Sequence, residues 1–288
     1  MEALQVTPRE QARNGDSVSR FSTLLENAIS GIDRIWRPAV LLAVCGGLWW
    51  LISATKTVKP YLVPSPAATF QVITDQWSYL AHNAWVTTYE TILGFTVAVA
   101  VGVVAAVVIV CSATAEKTLY PLLLFAQVVP KIAVAPLFVV WLGFGLAPKV
   151  LIAVLIAFFP VVISMTAGLK SVDPEILELA AIMGAPTWKT FARVRFPASL
   201  PYLFGGLKVA VTLAVTGAVV GEFVGANEGL GFVILQANGN LDTPTLFAGL
   251  LILTLLGVAL FVLVELAEYW ALPWHASRRG RATADPTL

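Results

Sequence analysis

Glu90, Lys131 and Glu222 stand inside long apolar stretches. A charge moved into hydrocarbon costs a few kcal/mol or more, so one retained there normally faces a helix interior or a watery path. Two kinds of chemistry suit such residues: a polar lining past which a hydrophilic solute moves, or a Lys–carboxylate pair that ties helices together. Other reactive patterns do not form. His82 and His275 are far apart, and Cys45 and Cys111 have neither metal-site nor disulfide-framework spacing, so no metal, cofactor or catalytic cluster is expected. No G-x-x-x-x-G-K-[ST] occurs, and Gly143-Phe-Gly145-Leu-Ala-Pro-Lys149 misses its spacing, so the chain is not expected to hydrolyse ATP itself.

The elements that hold these charges are membrane spans. Of 288 residues, 58% are hydrophobic and 12% charged, against roughly 45–50% and about 25% in soluble proteins. The net charge of +1 gives no surplus for neutralising a polyphosphate, which excludes nucleic acid as a partner. A bilayer core needs about 20 mainly apolar residues per helix. Six runs approach this: Ala39 to Ala54, Ala84 to Cys111, Leu119 to Val140, Val150 to Leu169, Pro201 to Gly225 and Thr243 to Val264. The expected fold is therefore all-α, a six-helix polytopic membrane domain over 36–270. With six crossings, fourteen Lys and Arg fall on one face, in the first 37 residues, at Lys117, across 170–208 and in the tail. Three fall opposite, Lys56, Lys59 and Lys149. Basic loops stay cytoplasmic, so both termini are expected there. Glu222 then lies near the external end of the fifth span, and Asn227 to Asn240 forms an external loop.

Residues 1–35 read as a mobile cytoplasmic arm with one surface helix near Phe21 to Ile35, and 271–288 as a cytoplasmic tail. The first span has a basic flank and apolar core like a signal peptide, but its long leader and missing A-x-A site favour an uncleaved helix.

The loop 170–201 encodes two short helices. Asp173 can cap the first, with Pro174 at its first position. Ile176, Leu179, Ala180 and Met183 make one apolar face, and Gly184 ends it. Thr187 can cap the second, which is expected to stop before Pro197.

These residues carry a resemblance. Glu178-x-Ala180-x-x-x-Gly184, followed after nine residues by Val194-x-Phe196-Pro197, resembles the "E-A-A, G, I-x-L-P" loop of ABC importer permeases. The likeness extends over residues 60 to 270 through Pro64-Ser65-Pro66, Gln127-Val-Val-Pro130, Trp141-Leu-Gly143-Phe-Gly145, Phe159-Pro160 and Gly221-Glu222-Phe223. These motifs resemble the nitrate, sulfonate and taurine group, nearest its branch for thiamine pyrimidine precursors or riboflavin. The resemblance implies a type I importer fold whose 170–201 loop, with Glu178, Ala180, Gly184, Val194, Phe196 and Pro197, docks in a separate ATPase subunit. It also implies two such subunits per complex and an extracytoplasmic substrate-binding protein; Glu90, Gln127, Lys131 and Glu222 are the residues expected along the substrate path. Where sulfonate and nitrate permeases generally carry Arg, this sequence has Glu90.

Gly217, Gly221 and Gly225 recur every four residues, a stripe that lets a helix backbone approach closely, within the chain or in a dimer. Six helices enclose little pore, so a homodimer or close heterodimer is expected, the homodimer favoured. An autonomous secondary transporter or channel is the competing class. Such carriers more often show inverted repeats and interrupted helix pairs, which this sequence does not display.

Overall fold

A computed structural model describes residues 36, 39–55, 58, 59 and 61–273. The arm 1–35, with the helix expected near Phe21 to Ile35, lies outside the described residues, as do His275 and most of the tail. All described secondary structure is helical. The described residues fall into two separate units, one ending at Pro66 and one beginning at Ala67.

The first unit contains α1 (Ala39–Ala54). Its Trp49 indole N–H donates to the Pro64 carbonyl oxygen at 2.9 Å.

The second unit takes in α2 (Pro66–Asp75) from Ala67 onward, and then α3 (Trp77–Cys111). It continues through α4 (Ala113–Val128), α5 (Lys131–Leu142) and α6 (Leu146–Lys170). Next come α7 (Pro174–Ile182), α8 (Thr187–Thr190), a π-helical turn (Phe191–Arg195) and α9 (Phe196–Gly225). Finally α10 (Leu230–Gly239) precedes α11 (Thr243–Ala271).

The core lies where α6 packs between α3 and α9. Ala98, Ala106 and Ile109 of α3 meet Ala157, Val161, Val162 and Met165 of α6 and Leu203, Ala210 and Ala214 of α9. Small residues permit this closeness. A Cβ on Gly94 would come 2.6 Å from the Ala153 Cβ, and one on Gly217 would come 2.6 Å from the Ala153 Cα. Ala153 is thus held from both sides by backbones that have no side chain to give way.

Among the described residues, four helices are long and apolar enough to cross a membrane: α3, the continuous Thr187–Gly225 helix, α6 and α11. Two of the six expected spans, the first and the third, fall outside these four. The expected third span, Leu119 to Val140, is not one helix: α4 and α5 meet at a break and bend by 94°. Pro130 lacks an N–H and disfavours helical geometry in Val129 before it, so the run breaks where hydropathy shows no feature. The bent pair counts as a fifth span only if taken together, and α1 is shorter than the others.

The segment expected as an external loop, Asn227 to Asn240, contains α10 instead. Nor does the second loop helix stop before Pro197. It runs through the π-helical turn into α9, the Phe196 N–H bonding to the Phe191 carbonyl oxygen. The widened turn displaces the carbonyl that a proline ring would strike, which lets Pro197 enter the helix.

Candidate functional site

One buried polar cluster joins α3, α6, α9 and the start of α10. Asn83, Thr87, Glu90 and Thr91 fall on one face of α3 at helical spacing, and all are buried. Lys149 lies in the first turn of α6, with its side chain 8% exposed, and its Nζ stands 2.5 Å from Glu90 Oε1. Pro148 fits that first turn because its missing N–H has no partner there to lose. Lys149 is therefore a buried helix residue and not the external-loop residue expected from the sequence. A cation at a helix N-terminus opposes the helix dipole, and the Glu90 carboxylate offsets that cost.

Glu222, in the last turn of α9, completes the cluster. Its Oε1 accepts from the Thr87 hydroxyl at 2.6 Å, and its Oε2 accepts from the Gly231 N–H at 2.5 Å. The Leu230 N–H donates to Thr87 Oγ1 at 2.8 Å and the Gly229 N–H to Asn83 Oδ1 at 2.7 Å. Three successive amides at the α10 N-terminus, groups that no helix can satisfy internally, are thus met by side chains of α3 and α9. Gly229 has φ +112°, and a Cβ on Gly231 would lie 2.6 Å from Glu222 Oε2. Both glycines give the carboxylate access to the backbone. Glu90 and Glu222 are electrostatic neighbours, and Lys149 acts on both. Among the described residues, Glu90 Oε2 and the Thr91 hydroxyl have no hydrogen-bond partner.

Lys131 is elsewhere. It opens α5 at the break, its Nζ 4.5 Å from the centre of the Phe159 ring of α6, close enough for a cation–π attraction. Gln127 is exposed on the last turn of α4. The helix-tying pair is Lys149–Glu90, with Lys131 separate. Asn83, Thr87 and Lys149 were missed as site residues. The four- and three-residue steps from Asn83 through Thr87 to Glu90 carried a signal for the first two, whereas Lys149 follows a Gly-rich stretch that mimics a loop.

The glycine stripe is occupied within the chain. Gly217 and Gly221 abut Ala153 and Lys149 of α6, and Gly225 faces the Val139 and Phe144 side chains. His82 Nε2 stands 3.6 Å from Glu228 Oε2, both side chains exposed, and no group able to hold a metal occurs among the described residues. A further ion pair, Lys208 with Glu268 at 2.5 Å, ties α9 to α11.

The loop residues form a compact unit. Asp173 caps α7 through its backbone carbonyl, not its side chain, and Pro186 rather than Thr187 is the cap of α8. At the other end of α7, the Ala185 N–H bonds to the Ala180 carbonyl and the Gly184 N–H to that of Ala181, with Gly184 at φ +70°. This six-to-one and five-to-two pattern is a Schellman motif, which calls for glycine. Ile176, Leu179, Ile182 and Met183 are exposed, Ile182 by 83%, and Glu178 is exposed beside them. Val194 and Pro197 are half-buried, and Phe196 stacks 6.4 Å from Phe191.

Residues 70–271 match the family described as "Binding-protein-dependent transport system inner membrane component". The chain belongs to that family. This ABC importer permease is 38% identical over 227 residues to the formylaminopyrimidine transport permease protein ThiX of Halalkalibacterium halodurans, covering 78% of this chain and 91% of that one. It is 42% identical over 162 residues to the riboflavin transport system permease protein RibX of Chloroflexus aurantiacus, 56% of this chain and 60% of that one. Permeases named for aliphatic sulfonates and for taurine are 30% and 27% identical. A chain of the MetNI methionine ABC transporter, solved in inward-facing conformations, shares the fold at a TM-score of 0.58 and 20% identity, covering 69% of this permease and 97% of that chain.

Proposed function

We propose that this permease forms the translocation path of an ATP-driven, binding-protein-dependent importer for a small heterocyclic nutrient of the formylaminopyrimidine or riboflavin kind. Two copies span the cell membrane with both termini in the cytoplasm, two separate ATP-binding subunits dock beneath them, and an extracytoplasmic protein delivers the nutrient. Lys131 and Gln127 at the α4–α5 break face the path, and the Glu90–Lys149–Glu222 cluster fixes the helices behind it.

The observation that carries this reading is the exposed apolar face of α7. A nine-residue helix is too short to persist alone in water, yet this one is fixed at both ends and presents Ile176, Leu179, Ile182 and Met183 outward. A partner surface would bury them. Leu179→Glu with Ile182→Glu should therefore abolish co-purification of the ATP-binding subunit and ATP-dependent uptake while the permease still purifies as a folded protein. Normal co-purification and uptake would refute the docking role.

The relatives support the nutrient class, since those named for heterocycles are more similar than those named for sulfonates or taurine. Nitrate, sulfonate or taurine is the alternative. Glu90 argues against an anion less directly than its sequence position suggests, because Lys149 already meets its charge. Thermal-shift measurement on the cognate binding protein with a pyrimidine, a flavin and a sulfonate decides between the two.

A further inference from the structure

The cytoplasmic end of α3 does not close on the helices beneath it. A cavity of about 860 Å³ opens between Val107 and Cys111 of α3, Leu177 and Ala181 of α7, and Phe191 and Arg195 of the π-helical turn. That volume falls within the roughly 300–1,000 Å³ of sites that take small organic molecules. The walls combine two chemistries. Most are apolar, but Thr187, Thr190 and Arg195 are polar, and among the described residues Arg195 is the only charged one lining the cavity. Arg195 is half-buried and forms no ion pair among the described residues.

The cavity also continues into an exposed apolar face of α3. Val104, Val108 and Cys111 follow one another at four- and three-residue steps on one face of α3, and all three are exposed, Val104 by 64%. An apolar stripe thus leads from the cavity back along the span. A small soluble anion would meet Arg195 and leave the apolar walls wet, whereas a wholly apolar molecule would leave the guanidinium buried without a partner. An anionic amphiphile satisfies both halves.

We propose that this cavity binds one anionic phospholipid, its phosphate held by Arg195 and the Thr187 and Thr190 hydroxyls and an acyl chain lying along Cys111, Val108 and Val104. Basic pockets at the cytoplasmic ends of spans attract such headgroups. The bound lipid fills the space behind α7, so bilayer charge bears on how firmly the loop is seated against the spans. The inference rests on α3 crossing the membrane with this end in the cytoplasm and is independent of which nutrient is carried.

Cys111 supplies a reporter. Full-length permease carrying Cys45→Ala is placed in nanodiscs of phosphatidylcholine alone or of equal parts phosphatidylcholine and phosphatidylglycerol, and Cys111 is labelled with uncharged N-ethylmaleimide. Labelling should slow several-fold with phosphatidylglycerol. Arg195→Gln removes the headgroup partner and Ala181→Trp fills the cavity without changing charge, so each should abolish the lipid dependence. Glycerol 3-phosphate added to phosphatidylcholine discs should leave the rate unchanged. Equal rates in the two lipids mean that protein covers the cavity or that nothing does, and overturn the proposal. So does slowing that persists in either variant, which would report surface charge alone, or protection by glycerol 3-phosphate, which would report an anion site without an acyl chain.

Discussion

At the level of single residues, two acids and one lysine share a dry space, and their value depends on being kept together. Lys149→Met strands Glu90 without its cation, and breaking a buried pair from one side typically costs about 3–5 kcal/mol. Replacing both partners removes the stranded charge. Lys149→Met should therefore lower the melting temperature of the purified permease sharply, and Glu90→Gln with Lys149→Met should recover most of the loss. A double variant as unstable as the single one would show that Lys149 acts through something other than Glu90. Glu222 differs, since its two oxygens serve different partners, the Thr87 hydroxyl and the Gly231 N–H. Glu222→Gln keeps one acceptor oxygen and presents an amide where the other stood, so it should be milder than Glu222→Ala, which leaves the Gly231 N–H unmet and the Thr87 hydroxyl with only the Asn83 carbonyl oxygen at 3.1 Å. Melting temperature by fluorescence-detected size exclusion ranks the two.

At the level of elements, α7 shows how a local rule becomes a functional constraint. Gly184 has open space where a Cβ would go, but its φ is +70°, a region that costs an ordinary residue roughly 1–2 kcal/mol. Size is therefore not the only penalty. Gly184→Asn, which tolerates that conformation, should retain ATP-binding-subunit co-purification and uptake better than Gly184→Ala. Gly184→Trp should lose both, and an Ala variant that outperforms Asn would contradict this conformational account. This stretch was legible in the sequence because its signals are local: Pro174 at the start, apolar residues at helical spacing, and glycine at the end. The passage through Pro197 was not, because a proline ordinarily ends a helix and only the widened turn admits it. Hydropathy likewise passed over the bend at Pro130, since an apolar run records composition and not direction. The Asn227 to Asn240 segment looked like a loop because its Gly and Asn residues suit turns, whereas the groups that anchor α10 lie far away in sequence at Asn83 and Thr87. Lys149 was misplaced for the same reason, its partner being 59 positions away.

For the molecule as a whole, the basic-residue bias still points one way once Lys149 is removed from the sparser face, and it predicts sidedness. In a background free of native cysteines, Asn238→Cys should react with an impermeant maleimide from outside intact cells and Ser277→Cys should not; the reverse pattern would invert the topology. Packing predicts a second global effect. Ala153→Leu has nowhere to expand between Gly94 and Gly217, and overpacking of this kind commonly costs about 1–3 kcal/mol; a melting temperature equal to wild type would mean that α3 or α9 shifts to make room. The arrangement at the head of α10 bears on the order in which the protein is made. The Gly229, Leu230 and Gly231 amides find their acceptors on Asn83, Thr87 and Glu222, residues that all leave the ribosome before α10 does. The helix therefore has no finished N-terminus of its own and acquires one only from a berth that α3 and α9 have already formed. A chain in which those two helices meet late would carry α10 unfastened through insertion, so the arrival of hydrogen-exchange protection at these three amides would date the moment when the distant halves of the bundle first come together.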